Sequence, residues 1–224
     1  MSGHPRPEAR TLATAIHGRY LLSVPEAPGP HPLLVGFHGY GENAERSLEA
    51  LRALPGSGAW LLCAVQALHR FYDRKTETVV GCWMTKQDRA LAIADNVAYV
   101  RGVLEALRKE GWDGTTLVYA GFSQGVAMAY RAAAFAGIQA RGLIALAGDL
   151  PEDVRATGMA GFPALLIGTG PLDPWYTPLQ LAKDAAALEG LGIRPETLVF
   201  EGGHDWTAAF QKRAGAFLAA RLGG

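Results

Sequence analysis

Short apolar runs alternate with longer stretches of helical period along this chain, a pattern that predicts a β-sheet layered with α-helices. The runs at 33–37, 60–65, 116–120, 142–147, 164–167 and 197–200 have the length and the apolar content of buried strands. Between them, 44–54 carries Leu48, Leu51 and Leu54 at helical spacing and is ended by Pro55-Gly56. The strongest periodic segment is 88–110, where Ile93, Val97, Val100, Leu104 and Leu107 fall on one stripe. Further helices are expected at 124–136, 179–188 and 206–222. The opening reads differently: 10–16 and 19–24 predict two strands around a tight turn at His17-Gly18, followed by a proline-rich connector. From 66 to 87 no period holds, and His69, Phe71, Tyr72, Trp83 and Met84 are mixed with charges. A loop that long is expected to be functional or mobile.

At 224 residues, with no internal repeat and no break in composition, the chain is read as a single domain spanning 1–224, with 1–9 as a flexible tail. Its 21 basic and 21 acidic residues cancel. That balance argues against a nucleic acid as partner and against a polybasic membrane anchor. No segment approaches the ~18 uncharged apolar residues of a membrane span, and Arg131 interrupts the alanine-rich run after Gly125. The first ten residues carry prolines and charges without an apolar stretch behind them, so a secretory signal is not expected. The cysteines are Cys63, in an apolar run, and Cys82, in the long irregular segment. Neither a disulfide framework nor a cysteine metal site is expected. These features together predict a cytoplasmic protein without stable membrane insertion; a homodimer stays open.

The chemistry concentrates at Gly121-Phe122-Ser123-Gln124-Gly125. An apolar strand runs into this Gly-x-Ser-x-Gly and a helix leaves it, the setting of a nucleophile elbow. So sharp a turn needs small residues two before and two after the serine. It also aims the helix N-terminus at the same point. A serine hydroxyl needs a base to take its proton. Of six histidines, His204 follows the last expected strand, in Glu201-Gly202-Gly203-His204-Asp205, which gives the chain order Ser, Asp, His. The carboxylate that orients the base must lie between them at a strand end. Asp173 is preferred as one strand nearer the histidine; Asp149, in Ala147-Gly148-Asp149, remains the alternative. Two backbone amides should complete an oxyanion hole. One belongs to Gln124, and the other to Tyr40, flanked by glycines in His38-Gly39-Tyr40-Gly41-Glu42. His38 itself is expected to brace this loop.

These blocks together resemble the phospholipase/carboxylesterase group of α/β-hydrolases, which includes acyl-protein thioesterases, from about residue 10 to the end of the chain. The resemblance implies the α/β-hydrolase fold, a mostly parallel central sheet with helices on both faces and no cap domain. It implies Ser123 as nucleophile, His204 as general base and acid, Asp173 as its orienting partner, and Tyr40 and Gln124 as oxyanion donors, with no metal and no cofactor. The expected partner is a small-molecule carboxylic ester with a small to medium acyl chain. Thioester or lysophospholipid cleavage on the same triad is the alternative, and a non-catalytic ligand-binding homologue a more distant one. Trp83, Met84 and Trp175 are candidates to line the substrate pocket.

Overall fold

In the computed structural model, which describes residues 7–222, the apolar runs become strands and the periodic segments helices. In chain order these are β1 (Arg19–Ser23), β2 (His31–Phe37), α1 (Ala44–Arg52), β3 (Leu61–Gln66), β4 (His69–Tyr72), β5 (Val79–Cys82), α2 (Arg89–Leu107), β6 (Trp112–Phe122) and α3 (Gln124–Phe135). Then follow β7 (Gly142–Leu146), α4 (Glu152–Arg155), β8 (Ala164–Thr169), α5 (Pro178–Gly190), β9 (Glu196–Val199) and α6 (Ala208–Leu222).

Seven strands make one sheet in the order β1-β3-β2-β6-β7-β8-β9. All its neighbours run parallel except β1, which pairs antiparallel with β3. The central strands are apolar throughout because both their faces are covered. Successive side chains point to opposite faces, so Leu33, Val35 and Phe37 of β2 enter one layer and Leu34 the other. In β6, Leu117 and Tyr119 divide from Val118 and Ala120 in the same way. The first layer receives α2, α3 and α5 through residues such as Val100, Leu104, Met128 and Leu188. The second receives α1 and α6 through Leu48, Leu51, Phe210 and Phe217. The stripe expected on α2 is buried at Val97, Val100, Leu104 and Leu107, and half-buried at Ile93.

Two expectations are corrected. Residues 10–16 form no strand: 7–18 are exposed and without regular structure, and the tail expected at 1–9 lies partly outside the described residues. Leu12 and Ile16 are the large apolar side chains of that stretch, too few to bury a face, and the antiparallel partner of β1 is β3. Gly18 serves another purpose than a hairpin turn. A Cβ there would fall 2.1 Å from the Tyr99 ring, whose hydroxyl donates to the Arg19 carbonyl at 2.6 Å. The irregular segment 66–87 is not a featureless loop either. It folds into a β4–β5 hairpin, with His69 opposite Cys82 and Tyr72 opposite Val79. The Asp73 carboxylate closes the hairpin turn by accepting from the Lys75 and Thr76 amides at 2.7 and 3.0 Å.

Arg131, which interrupts the alanine-rich helix, is buried in the structure. Its guanidinium meets both carboxylate oxygens of Asp153 at 2.8 Å, and so ties α3 to the short helix α4. Among the described residues no helix is long and apolar enough to cross a membrane. With the parallel strands aligned, the loops after β2, β6, β7, β8 and β9 all emerge at one edge of the sheet, where open α/β sheets place their ligands.

Candidate active site

Ser123 stands between β6 and α3 with φ 53° and ψ −122°, a conformation that side chains other than glycine rarely adopt. Its amide donates to the Leu146 carbonyl at 2.9 Å, and its own carbonyl accepts from Val126 at 3.0 Å. The turn is tight enough to dictate its neighbours. A Cβ on Gly125 would lie 2.1 Å from the Phe37 carbonyl oxygen, and one on Gly121 would lie 2.6 Å from the Gly125 carbonyl oxygen. A third glycine, Gly148, belongs to the same packing, since a Cβ there would come within 2.4 Å of the Ser123 carbonyl. The sequence pattern pointed to the first two and not to the third, which stands in a different loop.

The loops after β8 and β9 bring Asp173 and His204 together. His204 Nδ1 lies 2.7 Å from Asp173 Oδ2. The aspartate is 3% exposed, and its second oxygen accepts from the Trp175 and Tyr176 amides at 2.8 and 2.9 Å. A carboxylate so held cannot rotate, so its orientation fixes that of the imidazole. The Thr169 hydroxyl lies 3.5 Å from Oδ2 and donates to the Tyr176 carbonyl, closing the loop around the carboxylate. The imidazole is also held by aromatic neighbours: Phe122 at 4.8 Å between ring centroids, and Trp175 edge-on at 4.7 Å. Phe122 and Thr169 carry no signal in the sequence, since their roles follow only from tertiary placement. Asp149 makes no hydrogen bond or ion pair with the histidine among the described residues.

On the other side of Ser123 the loop after β2 passes close above it, with Gly39 placed so that a Cβ would lie 3.3 Å from the Ser123 Cβ. Within this loop nearly every amide is engaged. Gly39 donates to the Glu42 carboxylate at 2.8 Å, Gly41 to the Gly81 carbonyl at 3.0 Å, and Glu42 to the Gly39 carbonyl at 3.3 Å. The Tyr40 amide between them has no acceptor among the described residues, and neither has that of Gln124 at the first position of α3. The Gln124 side chain is fully occupied, accepting from the Trp83 amide at 2.9 Å and donating to the Met84 carbonyl at 3.0 Å.

His38 braces the loop. Its Nδ1 donates to the Gly39 carbonyl at 2.7 Å and its Nε2 accepts from the Ala67 amide at 3.1 Å, an assignment that requires the neutral ring. At 1% exposure, burial drives its pKa from 6.5 down to about 4. Above pH 6.5 the ring is neutral in both the folded and the unfolded chain. As pH falls from 6.5 toward 4, the unfolded chain takes up a proton that the folded chain refuses. His38 therefore removes up to about 3 kcal/mol of stability across that window. Urea unfolding of the wild type and of His38→Gln at pH 7.5 and 4.5 checks this: the loss on acidification should be smaller in the variant by roughly that amount.

Ser123, Gln124 and His204 line one cavity of about 240 Å³ together with Met84, Trp175 and Tyr176. No hydrogen bond joins Ser123 to His204 among the described residues, a looseness common to such pairs before substrate binds. Of the three pocket candidates, Met84 and Trp175 line this cavity, Trp175 at 71% exposure. Trp83 does not line it. It is wholly buried, its indole N–H donating to the His38 carbonyl at 2.8 Å and its own carbonyl accepting from Asn96 at 2.8 Å. Cys82 is buried as well, with its thiol 3.0 Å from the Met84 carbonyl oxygen. Asp149 and Arg89 also face the cavity.

Solved structures align with nearly the whole chain. Esterase PE8 superimposes with a TM-score of 0.67 at 24% identity, covering 92% of this chain and 98% of its own. The protein has the α/β-hydrolase fold. A carboxylesterase from Bacillus cereus aligns over 91% of this chain and 94% of its own, with a TM-score of 0.66 at 17% identity. Acyl-protein thioesterase 2 from Zea mays covers 92% of this chain with the whole of its own, at a TM-score of 0.69 and 18% identity. No family model matches the sequence, and no curated protein matches it. The likeness therefore lies in the fold, whose neighbours include the kinds of enzyme that the sequence resembles.

Proposed function

We propose that the chain is a serine hydrolase that cleaves carboxylic esters through an acyl-enzyme. One observation carries this reading: the strained serine of the strand–helix turn and His204, itself held by the buried Asp173, line a single cavity. With Nδ1–H held by Asp173, the Nε2 lone pair of His204 is free to take the Ser123 proton as Oγ attacks the ester carbonyl. Negative charge develops on the carbonyl oxygen, and the unengaged Tyr40 and Gln124 amides are its donors. Collapse expels the alcohol, which receives the proton from His204. Water then attacks the acyl-serine with the same histidine as base, releasing the acid and restoring the serine. No step calls for a metal or a cofactor.

The cavity volume, about 240 Å³, lies below the ~300–1,000 Å³ usual for larger ligands and favours small to medium acyl groups over long lipid chains. Two measurements test the reading. A fluorophosphonate probe should label the native protein and leave Ser123→Ala unlabelled. Across a series of aryl esters, kcat/KM should peak between acetyl and hexanoyl. Absence of labelling beside a labelled control esterase would overturn the serine-hydrolase reading. A rate still rising at dodecanoyl would replace the short-chain substrate by a lipid one.

A further inference from the structure

The cavity beside Ser123 is not an apolar acyl pocket: an acidic and a basic side chain, Asp149 and Arg89, face into it. Neither makes a hydrogen bond or an ion pair among the described residues. Their surroundings differ in a way that decides the sign of the field. The hydrogen-bond donors beside Asp149 are spent on Asp184, which accepts from the Leu150 amide at 3.0 Å and from the Tyr176 hydroxyl at 2.9 Å. Asp149 thus lines the cavity as an exposed residue whose carboxylate accepts no hydrogen bond among the described residues, with the Asp184 carboxylate near enough to repel it. Burial first, and repulsion from Asp184 second, push its carboxyl pKa upward, so its ionised form lacks a compensating charge. Arg89 is differently placed. Its charge helps hold down the pKa of Asp153, already paired with Arg131. The cavity wall itself carries one carboxylate and one guanidinium. The charge acting on Asp149, however, is that of Asp184, whereas Arg89 acts on Asp153, so Asp149 is the lining charge left without an opposite partner.

Asp149 is also close to the chemistry. Its neighbour Gly148 packs against the Ser123 carbonyl so closely that a Cβ would fall 2.4 Å from it. The indole of Trp175 lines the same cavity, and a carboxylate beside an aromatic surface is the usual receptor for an ammonium group, quaternary ones included. We infer that Asp149 is a specificity-determining residue that selects an acyl group carrying a cationic amine a few bonds from the scissile carbonyl. This inference rests on the serine-hydrolase reading above and adds the substrate class.

The test compares two phenyl esters of equal shape, 4-trimethylammoniobutanoyl and its neutral isostere 5,5-dimethylhexanoyl. Wild-type protein should favour the cationic ester in kcat/KM by about tenfold or more. In Asp149→Asn that ratio should fall to near one, and because it is taken within each enzyme, a change in folded fraction cancels. Equal rates for the two esters in the wild type would overturn the inference, as would a ratio that survives in Asp149→Asn. A preference that appears only when the trimethylammonium group is moved to the alcohol would overturn the acyl assignment. Hydrolysis of the neutral ester that is abolished in Ser123→Ala keeps the serine-hydrolase reading standing through any of these failures. No turnover of either ester, with no fluorophosphonate labelling, would be a failure of that reading itself.

Discussion

Replacing Ser123 by alanine is expected to lower ester turnover by about 10⁴-fold or more and to leave the fold intact. The effect is large because the other groups cannot substitute for the missing oxygen. His204 can still polarise water, and the Tyr40 and Gln124 amides can still receive an oxyanion, but no acyl-enzyme can form. Steady-state hydrolysis of a butyryl aryl ester, with circular dichroism to confirm the fold, measures it. The backbone gives this position a second readout. Alanine inherits φ 53°, so Ser123→Ala relieves no strain. Glycine accepts that conformation freely, and Ser123→Gly should be equally inactive and yet more stable by about 1 kcal/mol. A Ser123→Ala variant that kept a tenth of wild-type activity would remove Ser123 from the chemistry.

Asp173→Asn should lower kcat by about 10³- to 10⁴-fold, with a modest change in KM. The reason lies in how the carboxylate is held. One oxygen accepts from the Trp175 and Tyr176 amides and the other lies 2.7 Å from His204 Nδ1. An asparagine must keep its single carbonyl oxygen toward those two amides, which turns its NH₂ toward the imidazole. Nδ1 then becomes an acceptor and the ring proton moves to Nε2, the atom that must take the serine proton. The fold should survive, since the loop keeps both amide contacts. Single-turnover kinetics would place the loss in acylation. Wild-type-like activity of Asp173→Asn would reopen the choice between Asp173 and Asp149.

Much of this site is legible in the sequence because its requirements are local. The elbow needs glycines at fixed offsets from the serine. Strand-before and helix-after are written in the apolar run ending at Phe122 and the alanine-rich stretch from Gln124. His204 and Asp173 stand in glycine-containing loops after expected strands, and the structure brings the two side chains into contact. What escapes is tertiary. The β4 strand is exposed along its whole length, so no alternation marks it, and the hairpin reads as an unstructured loop. Trp83 looks like a pocket residue beside Met84, yet its indole and its carbonyl are both satisfied inside the core. The expected opening strand at 10–16 rested on the turn residues His17-Gly18 between it and 19–24, and its large apolar side chains, Leu12 and Ile16, offer too little surface to hold a strand in place.

The hairpin formed by the segment expected to be functional or mobile is fastened at its base. Gly81 exchanges hydrogen bonds with Gly41 and Glu42 at 3.0 and 2.8 Å, and Gln124 grips the segment just beyond from the start of α3. Opening that segment would pull apart the loop and the helix turn that carry both unengaged amides. Entry to the cavity is left to side-chain motion at its rim, above all of the exposed Trp175, and exposed side chains reorient in picoseconds to nanoseconds. Catalysis on this scaffold would proceed without a slow conformational step, so solvent viscosity should barely affect kcat, and bond making and breaking would set the pace.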